Sequence, residues 1–238
     1  MPTSADPDNS FLSDYFSRHD LHRGDIDKHL ERIQREFRDG FEFLRTYPKS
    51  VTIFGSSMAK PSDSSYQKAE EFSGRIVREL SYAVVTGGGP GIMEAANKGA
   101  YDAGGISLGL NISLPHERVT NAYATHALKF SYFFSRKTML TFAAEAFIFF
   151  PGGFGTFDEL FSILTLIQTD KIPRVPVIMY DSRYWNKFAD FLKKDMRDPN
   201  YDTIDARDLN LFEITDSLDR IVEIVKKAPV SEWWRNIN

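Results

Sequence analysis

The sequence predicts an α/β protein: a doubly wound parallel sheet flanked by helices, preceded by an N-terminal helical extension. Three observations carry that expectation. Short β-rich runs alternate with longer helical ones from Val51 onward, the pattern of strand–helix–strand crossovers that places parallel strands side by side. Two of the strand-like runs break into glycine-rich turns that enter helical segments directly, Tyr82-Ala-Val-Val-Thr-Gly-Gly-Gly-Pro-Gly91 and Phe147-Ile-Phe-Phe-Pro-Gly-Gly-Phe-Gly-Thr156, which makes the fold Rossmann-like. Ahead of the alternation, Ile26, Leu30, Ile33, Phe37, Phe41 and Leu44 recur three or four residues apart, the apolar stripe of an amphipathic helix over Asp25–Leu44.

The elements follow in order. Residues 1 to 10 are polar and acidic and are expected to be disordered. Strands are expected at Val51–Phe54, Ala83–Thr86, Ile106–Ile112, Phe147–Phe150 and Val175–Tyr180, with helices at 65–80, 91–103, 134–144, 155–169, 184–195 and 216–227. Residues 1–48 are thus expected to form a frayed start and helical extension, and 49–238 a single Rossmann-like domain. No internal repeat or low-complexity tract interrupts it.

Composition narrows the function classes. The 238 residues, 42% hydrophobic and 26% charged, suffice for one substantial core. A net charge of −4 gives no footprint for nucleic acid or an anionic membrane, so a small ligand is the expected partner. The absence of cysteine removes disulfides, thiolate catalysis and Cys-based zinc sites. No run reaches the roughly 18 apolar residues of a membrane span, and the start lacks a basic-then-apolar leader, so a cytoplasmic location is expected. Five histidines, at 19, 22, 29, 116 and 126, complete no metal-ligand pattern, and neither a metal nor another cofactor is expected.

In a doubly wound sheet, ligands bind outside the carboxyl ends of the strands. Gly55-Ser56-Ser57, Gly87–Gly91 (with Gly88 and Gly89 at its centre) and Gly152–Thr156 all fall there, so three loops should converge on one crevice. Glycines at 152, 153 and 155 are expected to provide torsions and close approaches that a Cβ would forbid. The helix beginning near Thr156 should offer unpaired N–H groups to an anion, with the Thr156 hydroxyl beside them and Glu159 one turn in. The layout is a phosphate cradle beside a carboxylate. A dehydrogenase is a weaker reading, because the turn is not a clean GxGxxG and no acidic residue closes the Ile106–Ile112 strand. A P-loop lysine is absent, and no lysine is singled out for a pyridoxal phosphate Schiff base.

The segments GGGPGIMEAANKGA at 87–100, SRKTM at 135–139 and PGGFGTFDE at 151–159 together resemble the LOG family, whose members were long labelled "possible lysine decarboxylase" and include cytokinin riboside 5′-monophosphate phosphoribohydrolases. The resemblance runs from about Val51 to Val225, and the preceding Phe-rich segment resembles the extension of longer bacterial members. It implies hydrolysis of the N-glycosidic bond of a nucleoside 5′-monophosphate, AMP or an N6-modified adenine nucleotide, to free base and ribose 5-phosphate. It assigns catalysis to Arg136 and Glu159, and the phosphate loop to Gly152, Gly153, Gly155 and Thr156. Glu94 is placed near the ribose, Lys137 beside the arginine, and Met139 on the base pocket. A homodimer or larger homo-oligomer is also implied.

The chemistry is coherent, because a carboxylate can stabilise an oxocarbenium-like ribosyl centre or activate water. A permanently cationic arginine can hold phosphate or ribose and counter charge on the departing base. Simpler readings stand beside these. Arg136 could form a helix-surface salt bridge with Glu145 or Asp158, and Glu159 could be only a favourable first-turn charge. The aromatic run Phe130–Phe134, like Trp233 and Trp234, suits core packing or a subunit interface better than base stacking. The alternative function is a non-catalytic nucleotide sensor or cofactor carrier on the same scaffold, with a single-stranded DNA binder more distant for want of a basic groove.

Overall fold

In the computed structural model the described residues are 23–47, 49–113, 120–142 and 144–229. The chain enters through helix α1 (Arg23–Leu44) and then alternates β1 (Ser50–Phe54), α2 (Ser64–Arg75), β2 (Ala83–Thr86), α3 (Ile92–Asp102), β3 (Ser107–Ile112), β4 (His126–Phe130), α4 (Phe133–Phe142), β5 (Ala146–Phe149), α5 (Phe154–Gln168), β6 (Val177–Tyr180), α6 (Ser182–Phe191), β7 (Glu213–Thr215) and α7 (Leu218–Lys227). The seven strands form one sheet in the order β4-β3-β2-β1-β5-β6-β7, and each neighbouring pair is parallel.

Central strands covered on both faces read as near-continuous apolar runs, and β1, β2 and β5 are buried throughout, with the hydroxyls of Thr52 and Thr86 hydrogen-bonded to the Leu140 carbonyl and Asn97. Alternate side chains feed two cores. Phe54, Phe147 and Phe149 point to one face, where they meet Met139, Leu140, Leu160, Ile163 and Trp185 from α4, α5 and α6. Val51, Ile53, Val84 and Ile148 point to the other, where Tyr66, Phe72, Ile92, Ala96 and Ile221 come from α2, α3 and α7. Helix α1 packs over α4, with Phe41 edge-on to Phe142 at 4.7 Å and Phe37 beside Phe134 at 6.4 Å.

The α/β class, the five expected strands and the long helices are present, with two additions. β4 and β7 join the sheet at its two edges. β4 reads His-Ala-Leu-Lys-Phe and is largely exposed, and β7 is three half-buried residues. Neither carries the apolar run of a central strand, and each exists through pairing with its neighbour, Leu110 with Leu128 and Met179 with Ile214. Two helices also end in wide π-helical turns, at Ile76–Leu80 and Leu192–Met196. The first closes on Ser81, which adopts a left-handed φ of 57°.

The aromatic run divides as core and surface: Phe130 and Tyr132 are buried, whereas Phe133 and Phe134 are exposed. Residues 1–10, His19, His22, His116, Trp233 and Trp234 lie outside the described residues. No helix among the described residues is long and apolar enough to cross a membrane.

Helices α2 and α3 approach so closely that a Cβ on Gly99 would lie 2.0 Å from the Glu70 carbonyl oxygen. Gly99→Ala is therefore expected to lower stability by about 1–3 kcal/mol despite alanine's better helix propensity, because main chain must move. Urea denaturation measures the loss.

Candidate active site

The sheet order reverses between β1 and β5, the switch point at which an open crevice forms beyond the carboxyl ends of the strands. Main-chain hydrogen bonds knit the loops there. Ser56 N donates to the Pro151 carbonyl at 2.9 Å, and Ile92 N donates to the Ser56 carbonyl at 2.9 Å. The loops after β1, β2 and β5, carrying Gly55 and Ser56, Gly88 and Gly89, and Gly152 to Thr156, thus meet as the sequence predicts.

Helices α3 and α5 both start in this crevice with a glycine cap, Gly91 and Gly153, and no side-chain acceptor on their first N–H groups. Uncapped helix N-termini present donors and positive potential to an anion. Gly91 has φ 71°, and a Cβ there would lie 2.3 Å from the Ser56 carbonyl oxygen. At Gly152 a Cβ would fall 2.1 Å from the Thr156 Oγ1. Gly153 and Gly155 correct the sequence expectation, since a Cβ at either meets nothing within 4 Å and Gly153 has an ordinary φ of −92°. Those two positions leave open space over the helix start instead of relieving a clash.

Arg136, on the first turn of α4, reaches across the crevice floor. Its Nε donates to the Leu110 carbonyl at 2.6 Å and its Nη2 to the Gly87 carbonyl at 3.2 Å, at the ends of β3 and β2. Carbonyls anchor the guanidinium without cancelling its charge. The salt-bridge reading does not hold: Asp158 pairs with Lys137, and Glu145 accepts from Ser50 N at 2.6 Å, where β1 begins. Burial lowers the Arg136 pKa, with nearby Glu159 opposing the shift, yet a guanidinium stays protonated at working pH.

Glu159 is 8% exposed, and its Oε2 is buried with no hydrogen-bond partner. Burial pushes its carboxyl up to about 7, against the opposing pull of Lys137 and Arg136. An orphaned buried carboxylate oxygen beside a cation is an arrangement that stability alone disfavours and that active sites use. Thr156 lies buried one turn before it. Glu94, in the first turn of α3, accepts from the Tyr66 hydroxyl at 3.0 Å. Lys137 bridges α4 to α5 through Asp158 and the Ser162 hydroxyl, the latter at 3.1 Å.

Met139 departs from its expected place. It is fully buried in the core, with its Sδ 2.5 Å from where a Cβ on Gly40 would stand. One helical turn beyond Arg136, its position faces α1 and the sheet rather than the open crevice.

Several contributors escaped the sequence reading. Gly88 N donates to the Thr86 hydroxyl at 2.9 Å, and Asn121 binds the Gly88 and Gly89 carbonyls through its N and Nδ2 at 2.9 and 3.1 Å. Fully buried Asn97 accepts from Thr86 and Asn121 at 2.6 and 2.9 Å, so the glycine turn rests on a polar network. Asn97 lies inside the GIMEAAN segment, where a buried polar residue on a helix was the available signal. Tyr184 donates to the Gly152 carbonyl at 2.6 Å, a contact with no local sequence signal.

A family model described as "Possible lysine decarboxylase" matches residues 93–225, more than half of the chain. The chain belongs to this family, the LOG family. It is 28% identical over 156 residues to the cytokinin riboside 5′-monophosphate phosphoribohydrolase of Rhodococcoides fascians, covering 63% of this chain and 76% of that one. It is 31% identical over 151 residues to LOG7 of Arabidopsis thaliana, named for the same activity, covering 61% and 68%. The match to LOG2 of Arabidopsis thaliana covers 57% of that relative's length. Among solved structures, the molybdenum cofactor binding protein of Rippkaea orientalis superposes with a TM-score of 0.52 at 21% identity, over 74% of this chain and 93% of that one. A Moco carrier protein from Chlamydomonas reinhardtii superposes with a TM-score of 0.54 at 20% identity, over 76% and 96%. These are likenesses of fold. The family match includes Glu94, Arg136, Lys137 and Glu159 and begins after the β1 and β2 loops.

Two consequences are measurable. The Glu159 carboxyl titrates near 7 when folded and near 4.5 ordinarily, so between these values only the folded state holds the proton and stability falls as pH rises. Against Glu159→Gln, which does not titrate, the wild type should lose up to about 3 kcal/mol between pH 4.5 and 8, read from urea denaturation of both proteins. A Cβ on Gly87 would sit 2.1 Å from the Arg136 Nη2. Gly87→Ala should therefore displace the guanidinium and lower activity about tenfold or more with a smaller effect on melting temperature.

Proposed function

We propose that this LOG-family protein hydrolyses the N-glycosidic bond of nucleoside 5′-monophosphates, with AMP or N6-modified adenine nucleotides as substrates, releasing free base and ribose 5-phosphate. The class of enzyme, an N-glycosyl hydrolase, follows from the family and from its named relatives. The observation that carries the substrate reading is Glu159, with one buried carboxylate oxygen unpartnered, beside the carbonyl-anchored Arg136, in a crevice where two helices begin without a side-chain cap.

In this reading the 5′-phosphate sits on the starts of α3 and α5, with Gly152, Gly153, Gly155 and Thr156 around it. The remaining Arg136 donors hold phosphate or ribose, and Glu94 lies toward the sugar. As the bond from C1′ to the base nitrogen lengthens, the base takes the electron pair and positive charge builds on the ribosyl carbon. Ionised Glu159 stabilises that charge, or takes a proton from the water that attacks C1′. No cofactor enters. A second copy of the chain is the proposed cover for the apolar face of α1 and α4, where Leu30 and Phe133 are 57% and 61% exposed. A homodimer or larger homo-oligomer by light scattering is the expected result.

The test is incubation with AMP, isopentenyladenosine monophosphate, other nucleoside monophosphates and adenosine, with base and ribose 5-phosphate followed by chromatography. Release should require the 5′-phosphate, and Arg136→Ala and Glu159→Ala should each lower kcat by about 100-fold or more while the fold is retained. Equal turnover of adenosine and AMP would overturn the phosphate requirement, and saturable binding without release would favour a carrier. The ionised form of Glu159 is the working one, so kcat/KM should rise with pH through about 7.

A further inference from the structure

Glu36 lies on α1, far in sequence from the motifs, yet its carboxylate sits on the start of α4. One oxygen accepts from Ser131 N at 2.6 Å, and the other accepts from Tyr132 N at 3.4 Å and from the Ser135 hydroxyl. The next residue is Arg136. A carboxylate here satisfies main-chain donors at a helix N-terminus and sits at the positive end of the helix dipole. The same two helices are joined by the His29 Nδ1 and the Tyr132 hydroxyl at 2.7 Å, by the Phe37–Phe134 and Phe41–Phe142 ring contacts, and by Met139 lodged over Gly40.

We propose that Glu36 is a positioning residue for Arg136, so that the N-terminal helix is part of the active-site apparatus and not only a cover for the core. The inference rests on the reading of Arg136 as a substrate-holding group. Arg136 is gripped at both ends. Its guanidinium is bound to the Leu110 and Gly87 carbonyls, and its main chain is carried by the turn that Glu36 binds. Releasing the second grip lets the first turn of α4 fray and moves the guanidinium, and displacements of about 1 Å are enough to cost up to about 100-fold in rate.

The experiment compares wild type, Glu36→Gln, Arg136→Lys and the double variant for release of adenine from AMP, with hydrogen exchange followed over residues 131–137. Glu36→Gln keeps the size and one acceptor while removing the charge, and it remains the deciding variant if Glu36→Ala does not fold. Expected are a drop of about tenfold in kcat/KM, faster exchange confined to 131–137, and little further loss when Glu36→Gln is added to Arg136→Lys. Unchanged turnover in Glu36→Gln, or the same loss in both backgrounds, overturns the inference. If wild type releases no base from any nucleotide, the hydrolase reading fails separately. Calorimetric titration with AMP then decides on Glu36: weaker binding by Glu36→Gln supports the positioning role, and equal affinity overturns it.

Discussion

Arg136 brings a full positive charge to the carboxyl ends of β2 and β3 and binds it to two main-chain carbonyls instead of a carboxylate. Much of the surrounding arrangement follows from that choice. Carbonyls hold the guanidinium in place but leave its charge available, so the crevice keeps a fixed positive potential into which an anion can settle. Glycine at 87 is needed because the guanidinium occupies the space of a side chain there. The start of α4 must hold still, and a carboxylate from another helix meets it.

Lys137 and the same cation together temper the cost of burying Glu159. A carboxyl group buried on the inner side of α5 with one oxygen unpaired is costly. The nearby positive charges of Lys137 and Arg136 hold its pKa down to about 7, below where burial alone would place it. At neutral pH the group is therefore poised between its two forms. A buried charge that is stabilised when positive charge develops beside it suits the proposed step through a cationic ribosyl centre.

Much of the fold and part of the site were legible in the chain itself. The mainly apolar strand runs of β1, β2 and β5 and the glycine turns after β2 and β5 fixed the class, because a central parallel strand is covered on both faces and a phosphate-sized crevice needs main chain unobstructed by side chains. The edge strands β4 and β7 were illegible: a largely exposed run of His-Ala-Leu-Lys-Phe acquires strand geometry only from the partner it pairs with. Glu36 and Tyr184 were invisible for a similar reason, since nothing in their neighbours indicates a contact with α4 or with Gly152.

By itself, then, the sequence determined which residue types stand at the strand ends, and hence an α/β sheet with a glycine-lined crevice beside Glu159, while Arg136 was assigned to it through the resemblance of its motif. Only the tertiary structure decided what each side chain faces. It turned Arg136 to carbonyls and not to Glu145 or Asp158, committed Lys137 to Asp158, and sent Met139 into the core one turn beyond the crevice. Local spacing fixes the side of a helix on which a residue lies. What waits on that side depends on how α1, α4 and the sheet pack together, and that is set by contacts between segments far apart in the chain.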